Sequence, residues 1–187
     1  NNLENEIIKL SSYSITEKAI KELGLGLTYF QHGFFQTNEL FKNSPFIISI
    51  DSLHNQLTGV DFQITIINEQ EFQLSITTKD QFPYNLITEK FDKTLLANID
   101  INKTYEFDKI ITTNYFSFTI KKSLSFNLEK LKDSDKNYSF KLHKIDHLCS
   151  KLREAIVINP INKEASILKL NIKGRTPKKN IEILNKL

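Results

Sequence analysis

Apolar positions change their period twice along the chain, and the changes divide it into three zones. Leu3, Ile7 and Leu10 recur at helical spacing, and Ile15, Ala19, Ile20 and Leu23 make a second stripe. Ser14 and Glu17 stand three apart, the spacing of a capping box, which predicts that the second helix starts near Ile15. Gly24 is then the expected left-handed stop. From about Leu25 to Leu142 the pattern is that of strands, rich in aromatic and β-branched residues and often alternating with polar ones. The strand segments are Phe46 to Ile50, Phe62 to Ile67, Phe72 to Thr77, Thr104 to Phe107, Tyr115 to Lys121 and Tyr138 to Leu142. Phe116, Phe118 and Ile120 share one face, and Ser117, Thr119 and Lys121 the other. Asn68-Glu69-Gln70 is short enough for a hairpin loop, and Leu128 to Asn137, with its Lys-Asp-Ser-Asp-Lys run, reads as a solvated connection.

Helical spacing returns at Ile145, Leu148, Cys149, Leu152 and Ile156. Ala155 to Lys173 follows as two apolar runs about a turn at Pro160. Thr176 is a good N-cap and Pro177 fits the first helical position, where a missing N–H costs nothing. Ile181, Leu184 and Leu187 continue that helix without a stop signal, which predicts that it runs on in a longer protein. The pattern predicts an α+β fold: a discontinuous α/β base of terminal helices plus a mixed sheet, at 1–45 and 143–187, carrying a central antiparallel β-rich insertion at 46–142. The whole is expected to be a single compact unit.

Composition narrows the classes of function. With 187 residues, 40% apolar content and 14 phenylalanines, the chain can fill a substantial core. Its 25 basic and 22 acidic residues nearly balance, and Arg153 and Arg175 are the only arginines, which argues against nucleic acid as a partner. No apolar run approaches the ~20 residues that cross a bilayer. Methionine is absent, in keeping with an internal piece of a longer chain. Cys149 is a lone cysteine at a helical core position, the place of a small inert hydrophobe.

Few constellations carry chemistry. His143-Lys144-Ile145-Asp146-His147 approaches the H-x-x-E-H pattern in which two histidines bind zinc and a glutamate activates water, but aspartate shortens the supposed base. His143 and His147 are therefore weak metal candidates set against a helix start with exposed histidines. Gly24-Leu25-Gly26 lacks the rest of a dinucleotide fingerprint, and neither a phosphate loop nor a G-x-S-x-G elbow occurs. Asp51, Asp61, Asp80, Asp92, Asp100 and Asp108 never fall into calcium-loop spacing, and most are read as turn residues. No catalytic residue, cofactor or metal is expected. Tyr29, Phe34 and Phe35, near Phe30 and His32-Gly33, are candidates for stacking on sugars or anchoring a neighbouring subunit, with core packing as the alternative. Lys173, Arg175, Lys178, Lys179 and Lys186 suit either anionic headgroups or a solvated helix face.

The order of these segments resembles a known family. NNLENEIIKLSSYSITEKAIKELGL resembles the part of chain-length determinant proteins where an acidic E-I-x-I-L-x-S run precedes a helix. GFFQTNELFKNSPFIISI looks like the glycine-to-SPF segment of the Bacteroidetes exopolysaccharide co-polymerase and tyrosine autokinase group. PINKEASILKLNIKGRTPKKNIEILN is similar to the last strand and membrane-approaching helix of that group, with Asn180 where alanine is usual. The resemblance spans almost the whole chain. It implies a periplasmic ectodomain held between two inner-membrane helices, assembling as a homo-oligomer that works with a polysaccharide polymerase or export machinery on capsular or exopolysaccharide. Many such proteins carry a cytoplasmic tyrosine kinase domain, of which these residues contain no motif. The alternatives left by the residues themselves are a carbohydrate-binding β module and, less favoured, a zinc hydrolase.

Overall fold

The computed structural model describes residues 2–130, 136–161 and 167–187. The fold is α+β, and every strand pairing is antiparallel among the described residues. Contacts divide it into two compact units, 1–26 with 143–187 and 27–142. The boundary thus falls at 26/27, where the sequence pattern placed it at 45/46. The reason is pairing: residues 27–32 form a strand whose partner lies at the far end of the strand zone.

In chain order the elements of the helical unit's first half are α1 (Asn2–Leu10) and α2 (Tyr13–Glu22). The strand unit holds β1 (Leu27–His32), β2 (Thr37–Glu39), β3 (Phe46–Ile50), β4 (Asp61–Ile66), β5 (Glu71–Gln81), β6 (Tyr84–Asn85), β7 (Lys90–Phe91), β8 (Ala97–Glu106), β9 (Ile110–Thr112), β10 (Ser117–Lys122) and β11 (Asn137–Leu142). The helical unit then resumes with α3 (Ile145–Ala155), β12 (Ile156–Pro160), β13 (Leu168–Ile172) and α4 (Pro177–Lys186).

The strand unit is a two-layer sandwich. One layer is a six-stranded sheet in the order β2-β1-β11-β4-β5-β8, and the other is a three-stranded sheet, β3-β10-β9. The predicted alternation decides the faces. Phe62, Ile64 and Ile66 of β4, Phe72, Leu74 and Ile76 of β5, and Tyr138, Phe140 and Leu142 of β11 are buried on the inner face. Phe46 and Ile48 of β3 and Phe118 and Ile120 of β10, with Phe116 just before it, join them from the smaller sheet in one core. Phe62 is the hub: it stacks on Phe140 at 4.7 Å and meets Phe116 and Phe118 edge-on at 5.3 and 5.4 Å. The hairpin predicted at 68–70 forms, because the Asn68 side-chain oxygen Oδ1 accepts from the Gln70 and Glu71 amides, both at 2.8 Å. At the open edge, β8 carries Lys103 on the inner-facing side opposite Leu74, with its ammonium 5.5 Å from the Tyr105 ring. An inward-pointing charge on an edge strand discourages further strand addition.

One buried polar side chain ties the small sheet to the loop after β3. Gln56 is 1% exposed. Its amide nitrogen donates to the Asp51 and Ser117 carbonyls at 2.8 and 2.9 Å, and its oxygen accepts from the Ser117 amide at 3.3 Å. The side chain thus occupies the place a strand neighbour would take opposite Ser117. That explains why Ser117, read as outward-facing, is 1% exposed.

In the helical unit, α2 starts at Tyr13 and is capped by Ser12, whose hydroxyl accepts from the Ile15 amide at 3.4 Å. The expected Ser14/Glu17 capping box does not form. The chain turns immediately after α1, with the Ser11 amide on Ile7 and the Ser12 amide on Lys9, so the earlier serine reaches the free amides first. Gly24 ends α2 at φ 65° as expected, with the Gly24 amide on Lys21 and the Leu25 amide on Ile20. Thr16, Ala19, Ile20, Cys149, Leu152 and Ile183 are buried on the faces of α2, α3 and α4. Among the described residues the sheet here is the antiparallel pair β12–β13, where a mixed sheet was expected. Pro160 lies in the ladder opposite Leu168 and not at a turn, and residues 162–166 lie outside the described ones. Of the solvated connection expected at 128–137, Leu128–Lys130 form a 3-10 turn and Asn137 opens β11, while residues 131–135 lie outside the described ones.

Two contacts fix α4. Asn180 donates to the Gly174 carbonyl at 3.1 Å, and a Cβ at Gly174 would lie 2.6 Å from the Asn180 side-chain oxygen. Asparagine at 180 thus closes the turn before the helix, for which alanine has no equivalent. Lys186 donates to Glu22 at 2.6 Å, joining the last turn of α4 to the end of α2. That bond, and the Lys186 charge, hold the Glu22 carboxyl below its usual range. A depressed carboxylate pKa adds stability above the unfolded value near 4.5 that is lost as pH falls through the folded one. We therefore expect wild type to exceed Glu22→Gln in thermal midpoint at pH 7, with the gap closing as the solution is acidified below the usual glutamate range. An unchanged gap at low pH contradicts the assignment.

Candidate functional site

The histidine constellation does not assemble. Lys144 occupies the N-cap of α3, so His143 precedes the helix and only His147 lies on it. The His143 amide donates to the Gly26 carbonyl at 2.8 Å, and the His147 amide to the Asp146 carboxylate at 2.7 Å. His147 is exposed, as a helix-start reading requires. Among the described residues no three His, Cys, Asp or Glu side chains converge into a metal-binding group, so His143 and His147 gain no third ligand from them. Cys149 is fully buried, and burial pushes its thiol above the ordinary range while a hydrogen bond with Tyr13 pulls the other way. It is a packed thiol among the core residues of the helical unit.

The three aromatic candidates separate. Tyr29 is half-buried on β1, where its ring packs edge-on against Phe46 at 5.9 Å and its hydroxyl accepts from the Ile48 amide at 3.1 Å. Burial raises its phenol pKa, partly offset by that bond. Tyr29 thereby joins the two sheets and is committed to the interior. Phe34 and Phe35 lie at the tip of the β1–β2 hairpin, 86% and 93% exposed, with ring centres 4.8 Å apart and planes at 79°.

That tip is held firmly. The Gly33 amide donates to Gln36 at 2.9 Å, closing a tight turn around the two phenylalanines. Behind it His32 spends both ring nitrogens, one 2.8 Å from the Ser139 hydroxyl and the other 3.1 Å from the Thr37 hydroxyl. The imidazole clamps β1 to β2 and β11. Sequence spacing flagged the aromatics but not this brace, because Ser139 lies more than a hundred residues away.

The outer face of the six-stranded sheet is polar. Gln73 and Ser75 donate to Asn102 at 2.6 and 2.9 Å, Thr77 donates to Asp100 at 3.0 Å, and Thr65 donates to Asn137 at 2.9 Å. Asp100 is therefore a mid-strand residue and Asp61 opens β4, exceptions to the expectation that most of these aspartates sit in turns; Asp61 pairs with Lys141 at 3.0 Å. Asp108 does turn the chain, at φ 62°, whereas Asp80, at φ 54°, lies within β5 where its register with β8 shifts. A groove of about 440 Å³ on this face is lined by residues such as Asp61, Gln63, Ser75, Thr77 and Gln81. No aromatic ring lines it, so it offers a sugar hydrogen bonds without a stacking surface. The outer face of the smaller sheet differs: Ile47 and Ile110 are 54% and 65% exposed, flanking Ser49, Thr119 and Lys121.

No protein-family model matches the chain, and no curated protein matches it.

Proposed function

We propose that the chain is a periplasmic, non-catalytic ectodomain of an inner-membrane protein that oligomerises and regulates the chain length or export of capsular or exopolysaccharide, as in the chain-length determinant proteins it resembles. The observation that carries this reading is the pairing of the first and last helical regions in one unit, with Glu22 of α2 bound to Lys186 of α4 at 2.6 Å. An ectodomain tethered at both ends needs its two anchoring segments to leave from one body. In this reading the helical unit is the base and the sandwich the insertion that it carries. The mechanism is geometric: packing of copies sets the shape within which the polymerase or export channel works, and no side chain performs bond chemistry.

A carbohydrate-binding module is the second reading, favoured by the exposed Phe34 and Phe35. Their rings stand at 79° and form no shared flat platform, which weakens it. The leading reading is tested in cells of the source organism by deleting the gene of the membrane-anchored parent and resolving the surface polysaccharide by length. The expected result is loss of the modal length or of export. An unchanged length distribution and amount contradict it.

A further inference from the structure

The outer face of the six-stranded sheet opens where two neighbouring strands part. The β4–β5 ladder ends at Gln63 opposite Ser75, although β4 begins at Asp61 and β5 runs on to Gln81. Beyond that point each strand keeps only its other neighbour. Asp61 stays paired with Lys141 of β11, and β5 stays on β8 as far as Gln81 opposite Ala97. The β5–β8 register shifts between Thr78 and Gln81, and an irregularity of this kind bends a strand out of its neighbour's course. The groove of about 440 Å³ lies in the gap, with Val60 and Asp61 on one lip and Thr77 and Gln81 on the other. That volume falls within the roughly 300–1,000 Å³ of small-molecule sites.

Charge decides what suits this gap. Among the described residues Asp61 is the one ionisable side chain of the lining, and Lys141 lies 3.0 Å from its carboxylate. An anion finds Lys141 committed, and a cation finds Asp61 committed. What the lining offers instead is uncharged hydrogen bonding of both senses. The Ser75 hydroxyl donates to Asn102 and the Thr77 hydroxyl to Asp100, so each oxygen keeps acceptor capacity to spare. The carboxamides of Gln63 and Gln81 are exposed, each adds donors and an acceptor, and neither is engaged by another described residue. The same character continues across the sheet. The outward pairs Gln63–Ser75 and Thr65–Gln73, with Asn102 and Thr104 beside them on β8, carry no charge in a chain whose residues are 25% charged. A face whose only task is solubility ordinarily mixes charges of both signs.

We propose that this groove, with the uncharged strip beside it, binds a neutral saccharide, the ligand class whose hydroxyls both donate and accept. The proposal goes beyond the geometric reading above, which requires no side chain on the polymer. A peptide strand is the other filler of a gap between strands, and it needs pockets for its alternate side chains. On the core side of this gap Ile76 is 2% exposed and Val60 packs against the core, which closes that side. Without a stacking ring the affinity rests on hydrogen bonds that compete with water, so a millimolar Kd is expected.

The test is a titration of the isotope-labelled 187-residue chain with neutral tetrasaccharides of glucose, galactose, mannose and N-acetylglucosamine, followed by NMR. Glutamine and asparagine side-chain amides report directly in such spectra. The expected result, with at least one of these sugars, is a saturable shift at Gln63, Gln81 and Asn102 and no comparable shift at Phe34 and Phe35. Gln63→Ala combined with Gln81→Ala weakens that binding about tenfold, the effect of ~1.4 kcal/mol. Both side chains are exposed, so the core resonances of the double variant stay in place. No saturable shift with any of these sugars at millimolar concentration overturns the proposal. So does a shift centred on Phe34 and Phe35, or tighter binding of a tetragalacturonate than of every neutral sugar. A groove shift produced by a short uncharged threonine-valine peptide and not by the sugars also overturns it, and assigns the gap to strand addition. The binding is measured without the polymerase or the membrane, so its failure is distinct from an unchanged polysaccharide in the gene deletion.

Discussion

Phe62→Ala is expected to destabilise the sandwich by about 3–5 kcal/mol. Phe62 is 2% exposed and touches rings from both sheets: Phe140 at 4.7 Å, Phe116 at 5.3 Å and Phe118 at 5.4 Å. Alanine removes the apolar burial of the ring and leaves a cavity whose walls belong to strands locked in register, so they collapse only in part. Urea unfolding followed by tyrosine fluorescence measures the change. Phe34→Ala is the control, since the same chemical change at an 86% exposed position should alter stability by under about 0.5 kcal/mol. Similar losses for the two substitutions contradict the assignment of the core.

Gln56→Leu should cost about 2–4 kcal/mol, although it replaces a polar residue by an apolar one of similar size in a buried site. Hydrophobicity alone predicts a gain. The loss arises because the Ser117 amide gives up its partner on Gln56, and the Asp51 and Ser117 carbonyls lose a donor. A buried donor left unsatisfied costs its full desolvation penalty, which outweighs the transfer gain of the leucine side chain. The same unfolding experiment checks it, with amide hydrogen exchange at Ser117 as a local readout. A neutral or stabilising result means that Gln56 is only a filler.

Much of this fold is legible in local pattern, and what is hidden has a physical cause in each case. Phe62-Gln63-Ile64 and Phe72-Gln73-Leu74 alternate cleanly because β4 and β5 bury one face and expose the other. Gly24 is readable because the left-handed backbone it supplies suits few other residues. β1 is harder to read, since Tyr29 turns inward while Phe30 shares the outer face with His32, and its partner is β11, far along the chain. That long-range pairing is what moves the unit boundary to 26/27. Ser12 and Ser14 are both good caps, and only the tightness of the turn after α1 selects the first.

The candidate site divides in the same way. Exposed Phe34 and Phe35 look like core residues by composition, because hydrophobicity does not report the face of a loop tip. Tyr29 belongs to the same aromatic run and points the other way, which only its bond to Ile48 on another sheet reveals. Gln56 was invisible as a structural residue because its partner Ser117 lies 61 residues away and meets it only on folding. His143 and His147 show the converse: their spacing suggests a shared helical face, and the helix start at Ile145 separates them.

The proposed function requires that copies of this chain assemble within a membrane-anchored parent. The most direct measurement is the mass of the full-length parent extracted in mild detergent or native nanodiscs, determined by light scattering or native mass spectrometry over a range of concentrations. The account predicts a discrete oligomer of fixed subunit number that persists on dilution. A parent that is monomeric throughout contradicts it.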